Sequence, residues 1–216
     1  MNKVKALLLA AGLGTRLSPL TDNWPKCLMP IGNRPLLEYW LETLYSTNVS
    51  EVLVNLHHHS EKVKEFLKKN KIQTLNLGDG IKGESRQIAI EHAKKILKTN
   101  KTKFAIISGG ETTVTVSGNG KGGRNSEYAL SLFNQVKNTD NIAVISCDTD
   151  GIDGSEDNAG VYFDNKTIKK AKQLSLDPEI FLKKNDSYSF FKKLNSLIHT
   201  GPTLTNVNDY RVVLKM

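Results

Sequence analysis

Three apolar runs in this chain end in or beside glycine-bearing loops, and this constrains the fold more than any other feature of the sequence. Val4–Ala10 runs into Ala11-Gly12-Leu13-Gly14, Phe104–Ile107 into Ser108-Gly109-Gly110, and Ile142–Ser146 leads to Asp148-Thr149-Asp150-Gly151. Short apolar runs closed by turn residues read as buried strands. Helix signals fill the intervals: Pro35 to about Tyr45, Ser60 to about Lys69, Glu84–Lys98, about Ser126–Val136 and about Thr167–Leu174. Further strands are expected at Glu51–Leu56, Ile72–Leu77, Val114–Val116 and Val212–Leu214. Strand alternating with helix predicts an α/β fold with three layers and a mostly parallel sheet.

The formal net charge is +8, but the lysines are spread along the chain with no basic block or aromatic-basic stripe. No nucleic-acid partner is therefore expected. Lys68, Lys69 and Lys71, like Lys169, Lys170 and Lys172, read as solvated helix faces. Arginine is scarce, and two of the five, Arg16 and Arg124, sit in glycine-rich loops. Cys27 and Cys147 lie far apart without ligand spacing, which argues against a zinc site or a disulfide scaffold. The chain passes from Lys3 straight into a short strand, unlike a signal peptide, and no stretch is long enough to span a membrane. A cytoplasmic protein with no membrane partner is expected. His57-His58-His59 would alternate across a strand and so chelate a metal poorly.

The first glycine loop carries chemistry. In Ala11-Gly12-Leu13-Gly14-Thr15-Arg16 the backbone amides can converge on a phosphate at the end of a strand, and Arg16 adds a charge-assisted clamp. Pro25-Lys26 places a second cation after a rigid turn. Leu8–Thr21, Trp24–Pro30 and Arg34–Glu38 together resemble the opening of sugar-phosphate nucleotidyltransferases over about residues 3–70. The resemblance implies a Rossmann-like part in which Ala11, Gly12, Gly14, Thr15 and Arg16 contact a nucleoside triphosphate and Lys26 steadies its charge.

A second site is expected downstream. Ser108, Gly109, Gly110, Glu111 and Thr112 follow a strand and offer backbone and hydroxyl groups to an anion. Gly118–Arg124 then presents one guanidinium at the mouth of a helix, beside Asn125 and Glu127, where the helix N-terminus adds partial positive charge. Arg124 is the expected catalytic residue, stabilising charge on a transferring phosphoryl group. Asp148, Asp150, Asp153 and Asp157, with Gly151 and Gly154 between them, either hold magnesium, receive a substrate proton or form Asp-Gly turns. Asn206, Asn208 and Asp209 either line the site or cap turns.

Gly78–Arg86, Ser108–Val116, Gly120–Asn125, Thr149–Gly154, Asn185–Tyr188, Thr200–Thr203 and Thr205–Asp209 together resemble type II glycerate kinases, a family also called hydroxypyruvate reductase. The resemblance includes that family's C-terminal MOFRL domain. It divides the chain into residues 1–71, a partial nucleotide-binding segment; 72–100, a last strand and helix of the kinase's N-terminal domain; and 101–216, the MOFRL α/β domain. It implies ATP-dependent phosphorylation of D-glycerate or a related hydroxy acid, with Mg2+ and with ATP or another NTP as substrate. By this resemblance Arg124 faces the reaction and Glu111, Asn125, Asp150 and Asn206 line the pocket. With the reading of the residues, Arg124 and Asp150 are the expected catalytic pair, and Glu127, Gly151, Asp153, Asn208 and Asp209 are expected to bind substrate as well. NDP-sugar nucleotidyl transfer and a non-catalytic nucleotide-binding role are the other two readings. A homodimer is expected if a truncated sheet leaves an uncovered edge.

Overall fold

The computed structural model describes residues 4–9, 17–46, 49–55, 61–62, 65–66, 75–76, 80–98, 104–204, 206 and 208–215. The first part pairs β1 (Val4–Leu9) with β4 (Val49–Asn55) in parallel. Between them lie a 3-10 turn at Lys26–Leu28, the hairpin of β2 (Pro30–Ile31) and β3 (Arg34–Pro35), and α1 (Leu36–Ser46). Gly32 and Asn33 both have positive φ, as a two-residue hairpin loop requires. Cys27, Leu28, Leu37 and Val54 form a small core there. The segments expected as a helix from Ser60 and a strand from Ile72 lie mostly outside the described residues.

A larger sheet organises the rest. Its order is β10 (Leu197–Ile198), β9 (Gly160–Asp164), β8 (Ile142–Asp148), β11 (Asp209–Lys215), β7 (Phe104–Thr113) and β5 (Leu75–Asn76), with β6 (Ile81–Glu84) also on β7. The α/β class is as expected, but the strand pairing is mixed. β5 and β6 run parallel to β7, whereas β11 is antiparallel to both β7 and β8, and β9 is antiparallel to both β8 and β10. Strands β7 and β8 therefore point the same way, as their sequence spacing suggests. The C-terminal strand inserts between them in the opposite sense.

Helices α2 (Ser85–Lys98), α3 (Arg124–Val136), α4 (Asn165–Gln173), α5 (Pro178–Lys183) and α6 (Ser187–Leu194) all contribute to the main core. Helix α3 is buried on nearly every side, so it is the axis of this core rather than a surface helix. Phe133 at its centre meets Phe163 and Phe190 edge-on, each ring 5.1 Å away. Among the described residues, the opposite face of the sheet carries a small cluster around Ile107 and Val212. Where three layers are expected, the described helices of this part occupy one side.

Local signals explain the ends of the helices. Asp164 caps α4 through the Thr167 amide, and Asp177 followed by Pro178 starts α5. Asn195 ends α6 in the left-handed conformation. Val114–Val116 do not form the expected strand. Strand β7 ends at Thr113, and the Thr115 amide instead donates to the Glu84 carboxylate at 3.1 Å.

Candidate active site

Strands β7 and β8, the loop entering β11 and the start of α3 bring their chemistry-bearing residues to one place. Arg124 is the first residue of α3 and lies partly buried among three carboxylates. Its Nε donates to Asp209 Oδ1 at 2.7 Å, its Nη2 donates to Asp148 Oδ2, and its Nη1 reaches Glu111 Oε1 at 3.3 Å. Asp209 and Asp148 are buried, whereas Glu111 is exposed. Two edges of the guanidinium are thus fixed inside the protein while the third meets only a carboxylate on the rim. Burial works against the charge on Arg124, but the surrounding carboxylates outweigh it and hold its pKa up. Burial also pushes the Asp148 carboxyl up to about 6, against the Asp150 amide and Arg124, which pull it down.

Asp209 is the hub of this arrangement. Its Oδ1 accepts from Arg124 and from Asn125 Nδ2 at 2.8 Å, and its Oδ2 accepts from Arg211 Nη2 at 2.5 Å and the Thr112 amide at 3.5 Å. Asn125 is fixed in turn by Ser146, whose hydroxyl donates to Asn125 Oδ1 at 2.8 Å. Thr112 Oγ1 accepts from both Ser85 and Arg211. Asp209, Asn125 and Thr112 are therefore committed to one another, so their expected part in binding substrate gives way to holding the site together.

The helix N-terminus is also occupied. Asp153 is fully buried, and its carboxylate accepts from the Asn125 and Ser126 amides, each at 2.8 Å. The positive end of α3, expected to attract a substrate anion, is capped by the protein's own carboxylate. Gly123 permits this, since a Cβ there would lie 2.3 Å from the Asp153 backbone carbon. Glu127 points elsewhere. It accepts from Arg86 Nε at 2.6 Å and from Asn185 Nδ2 at 3.2 Å, tying α2 and the α5–α6 turn to α3.

The glycines after Ile107 have a different purpose from the one expected. Ser108, Gly109 and Gly110 lie within β7, paired with Arg211, Tyr210 and Asp209 of β11. Gly110 has φ +123, and a Cβ there would lie 2.2 Å from the Ile81 carbonyl oxygen, so glycine lets β6 pair closely with β7. These residues build the sheet under Arg124 and do not form an anion loop.

Asp150 and Gly151 lie in the turn after β8. Asp150 Oδ1 accepts from the Ile152 amide at 2.9 Å. Asn206, which is exposed, accepts from the Asn208 amide at 2.9 Å, and Thr149 Oγ1 donates to the Asn208 carbonyl at 2.8 Å. Gly151 and Thr149 are buried, whereas Glu111 and Asn206 are exposed and Asp150 and Asn208 half-buried, so these four form the accessible side of the site. Ala11, Gly12, Gly14, Thr15 and Arg16 lie outside the described residues, and Lys26 is exposed at the start of its 3-10 turn. Sequence reasoning assigned no role to Arg211, although an Asp and an Arg two apart on one strand share a face and signal a buried ion pair. A cavity of about 230 Å³ lined by Lys137, Asp140, Asn165 and Lys172 opens at the other end of α3, away from Arg124.

The nucleotidyl transferase family model matches residues 5–116, and the MOFRL family model matches residues 104–209. The chain belongs to the nucleotidyl transferase family, whose model spans just over half of it, and its second half matches the MOFRL model. The nucleotidyl transferase match extends past the expected limit near residue 70 and overlaps the start of the MOFRL match. A D-glycerate 2-kinase from Thermotoga maritima is 36% identical in an alignment covering 96% of this chain and 55% of that protein. A glycerate 2-kinase from Pyrococcus horikoshii is 43% identical over 50% of this chain and 25% of its own length. The crystal structure of a glycerate kinase from Thermotoga maritima matches with a TM-score of 0.65 at 32% identity, over 99% of this chain and 57% of that one. The chain thus spans little more than half the length of the Thermotoga proteins, and its N-terminal half also falls within the structural match.

Proposed function

We propose that this protein transfers a phosphoryl group from a nucleoside triphosphate, ATP foremost, to a hydroxyl of D-glycerate or a related small hydroxy acid. The observation that carries the reading is the state of Arg124. It is a guanidinium held on two edges by buried carboxylates, with its third edge at an exposed rim. Such a group is preorganised for charge that builds on a transferring phosphoryl. The kinase names of the relatives support the same class.

In this reading the substrate oxygen forms a bond to the γ-phosphorus as the bond to the bridging oxygen breaks, releasing the nucleoside diphosphate. The hydroxyl proton passes to Asp150, which lies on the accessible side. Glu111, Asn206 and Asn208 would contact the hydroxy acid, and Lys26 with the Gly12–Arg16 loop would contact the triphosphate. Among the described residues, no three His, Cys, Asp or Glu side chains converge to hold a metal. Those residues do not fit a resident ion, so magnesium belongs to the reading as the triphosphate's own companion. Both cysteines are free and buried, and no described helix is long and apolar enough to cross a membrane, which supports a cytoplasmic location.

The second reading, nucleotidyl transfer to a small phosphorylated acid with release of pyrophosphate, is favoured by the family match over residues 5–116. The test is a mass-spectrometric assay of the purified chain with ATP, magnesium and D-glycerate, run beside sugar phosphates with all four NTPs. Phosphoglycerate that is absent with Arg124→Ala supports the kinase reading. Pyrophosphate release replaces it with nucleotidyl transfer, and nucleotide binding without product leaves a non-catalytic role.

A further inference from the structure

We propose that Arg211 is a positioning residue for this site: its buried guanidinium fixes the Asp209 carboxylate, which in turn aims Arg124. The proposal rests on the part given to Arg124 above. Arg211 is among the largest fully buried side chains of the protein and sits two residues after Asp209 on β11, on the same face of the strand. Its Nη2 donates to Asp209 Oδ2 and to Thr112 Oγ1, at 2.5 and 2.9 Å. Its remaining donors, Nε and Nη1, are buried without a hydrogen-bond partner among the described residues, and its guanidinium lies 4.9 Å from the centre of the Tyr128 ring.

That arrangement is an expensive way to fill a core. Buried donors without acceptors are rare, and apolar residues commonly replace a buried ion pair without loss of stability. Packing alone therefore gives no reason for an arginine here. What the arginine supplies is charge on the far side of Asp209. Asp209 is buried with Asp148 of β8 and Asp153 of the following loop in its field, and Glu111 stands beyond Arg124. Without Arg211, Arg124 would be the one cation bonded to Asp209 among the described residues, facing several carboxylates. Asp209 Oδ2 would then lose the partner that fixes it, and the carboxylate would loosen its hold on Arg124 Nε. Behind Arg211, Tyr128 of α3 and the neutral His92 of α2 complete its surroundings.

The test uses the full chain with Arg211→Met and Arg211→Lys, and follows two signals. The first is kcat against KM for phosphoryl transfer. The second is the 15N–1H signal of Arg124 Nε, identified by its loss in Arg124→Ala. Removing Arg211 should lower kcat by about ten- to a hundredfold, the scale seen for outer partners of a working group, with a smaller change in KM. The Arg124 Nε–H signal should broaden relative to the wild type, and Arg211→Lys, which keeps the charge, should fall between. A folded Arg211→Met protein with its kcat and its Arg124 signal unmoved overturns the proposal. Should Arg211→Met not fold, Arg211→Lys is read alone on the same two signals. Should the wild type phosphorylate no hydroxy acid, the kinase reading fails, and the Arg124 signal still decides the role of Arg211.

Discussion

Replacing Asp153 by Ala tests whether the N-terminus of α3 is held by the protein itself. Asp153 is fully buried and accepts from the amides of Asn125 and Ser126, both at 2.8 Å. Alanine would leave both amides inside the protein without an acceptor, at about 1–3 kcal/mol each. Burial raises the pKa of this carboxyl, so removing the charge returns part of that loss. The expected net cost is about 3 kcal/mol, above the ordinary range of about 0.5–2 kcal/mol for loss of a helix cap because two buried amides lose their acceptor together. With a urea m-value of about 2 kcal/mol/M, the unfolding midpoint should fall by about 1.5 M. Asp153→Asn keeps one acceptor oxygen and should lose about half as much. Equilibrium unfolding followed by far-UV circular dichroism measures both variants. An Asp153→Ala midpoint within a few tenths molar of wild type, or an Asn variant weaker than the Ala variant, refutes the reasoning.

Two further predictions follow from the buried groups. His92 is buried beside Tyr128, whose hydroxyl lies 2.9 Å from Nδ1, and burial lowers its pKa from 6.5 to about 4. The unfolded chain therefore binds a proton between those values that the folded chain refuses, so stability falls as pH drops from 6.5 towards 4, by roughly 3 kcal/mol in all. Asp148, raised to about 6, works in the opposite direction below that pH, so the His92 contribution is read as wild type minus His92→Gln in urea titrations at each pH. A constant difference from pH 7 to 4 would contradict it. Gly110→Ala should cost at least about 2 kcal/mol, because φ is +123 and the new Cβ meets the Ile81 carbonyl. Amide exchange at Ile81–Glu84 should then accelerate more than exchange in β8, and uniform protection would count against this.

The residues show why part of this molecule is legible in its sequence and part is not. Strands β7 and β8 and helix α3 announce themselves through apolar runs and the glycines before Arg124, and Arg124 stands out as the one arginine in that run. The pairing of β11 is hidden, since insertion between β7 and β8 depends on contacts nearly a hundred residues apart, such as Arg211 with Thr112. Asp153 reads equally well as a turn, a ligand or a cap, because the helix it caps begins some thirty residues earlier in the chain. Gly109 and Gly110 read as a loop because a strand that must accept a close neighbour uses the same residues as a turn. Helices α5 and α6 are short, and their caps at Asp177 and Asn195 are single residues in a polar stretch.

The most direct test of phosphoryl transfer at Arg124 is a 31P NMR time course of the chain with ATP, magnesium and D-glycerate, beside Arg124→Ala. The expected result is a phosphomonoester signal that grows in step with ADP in the wild type and is absent in the variant. Phosphomonoester formed equally by both proteins, or pyrophosphate in place of ADP, would contradict it.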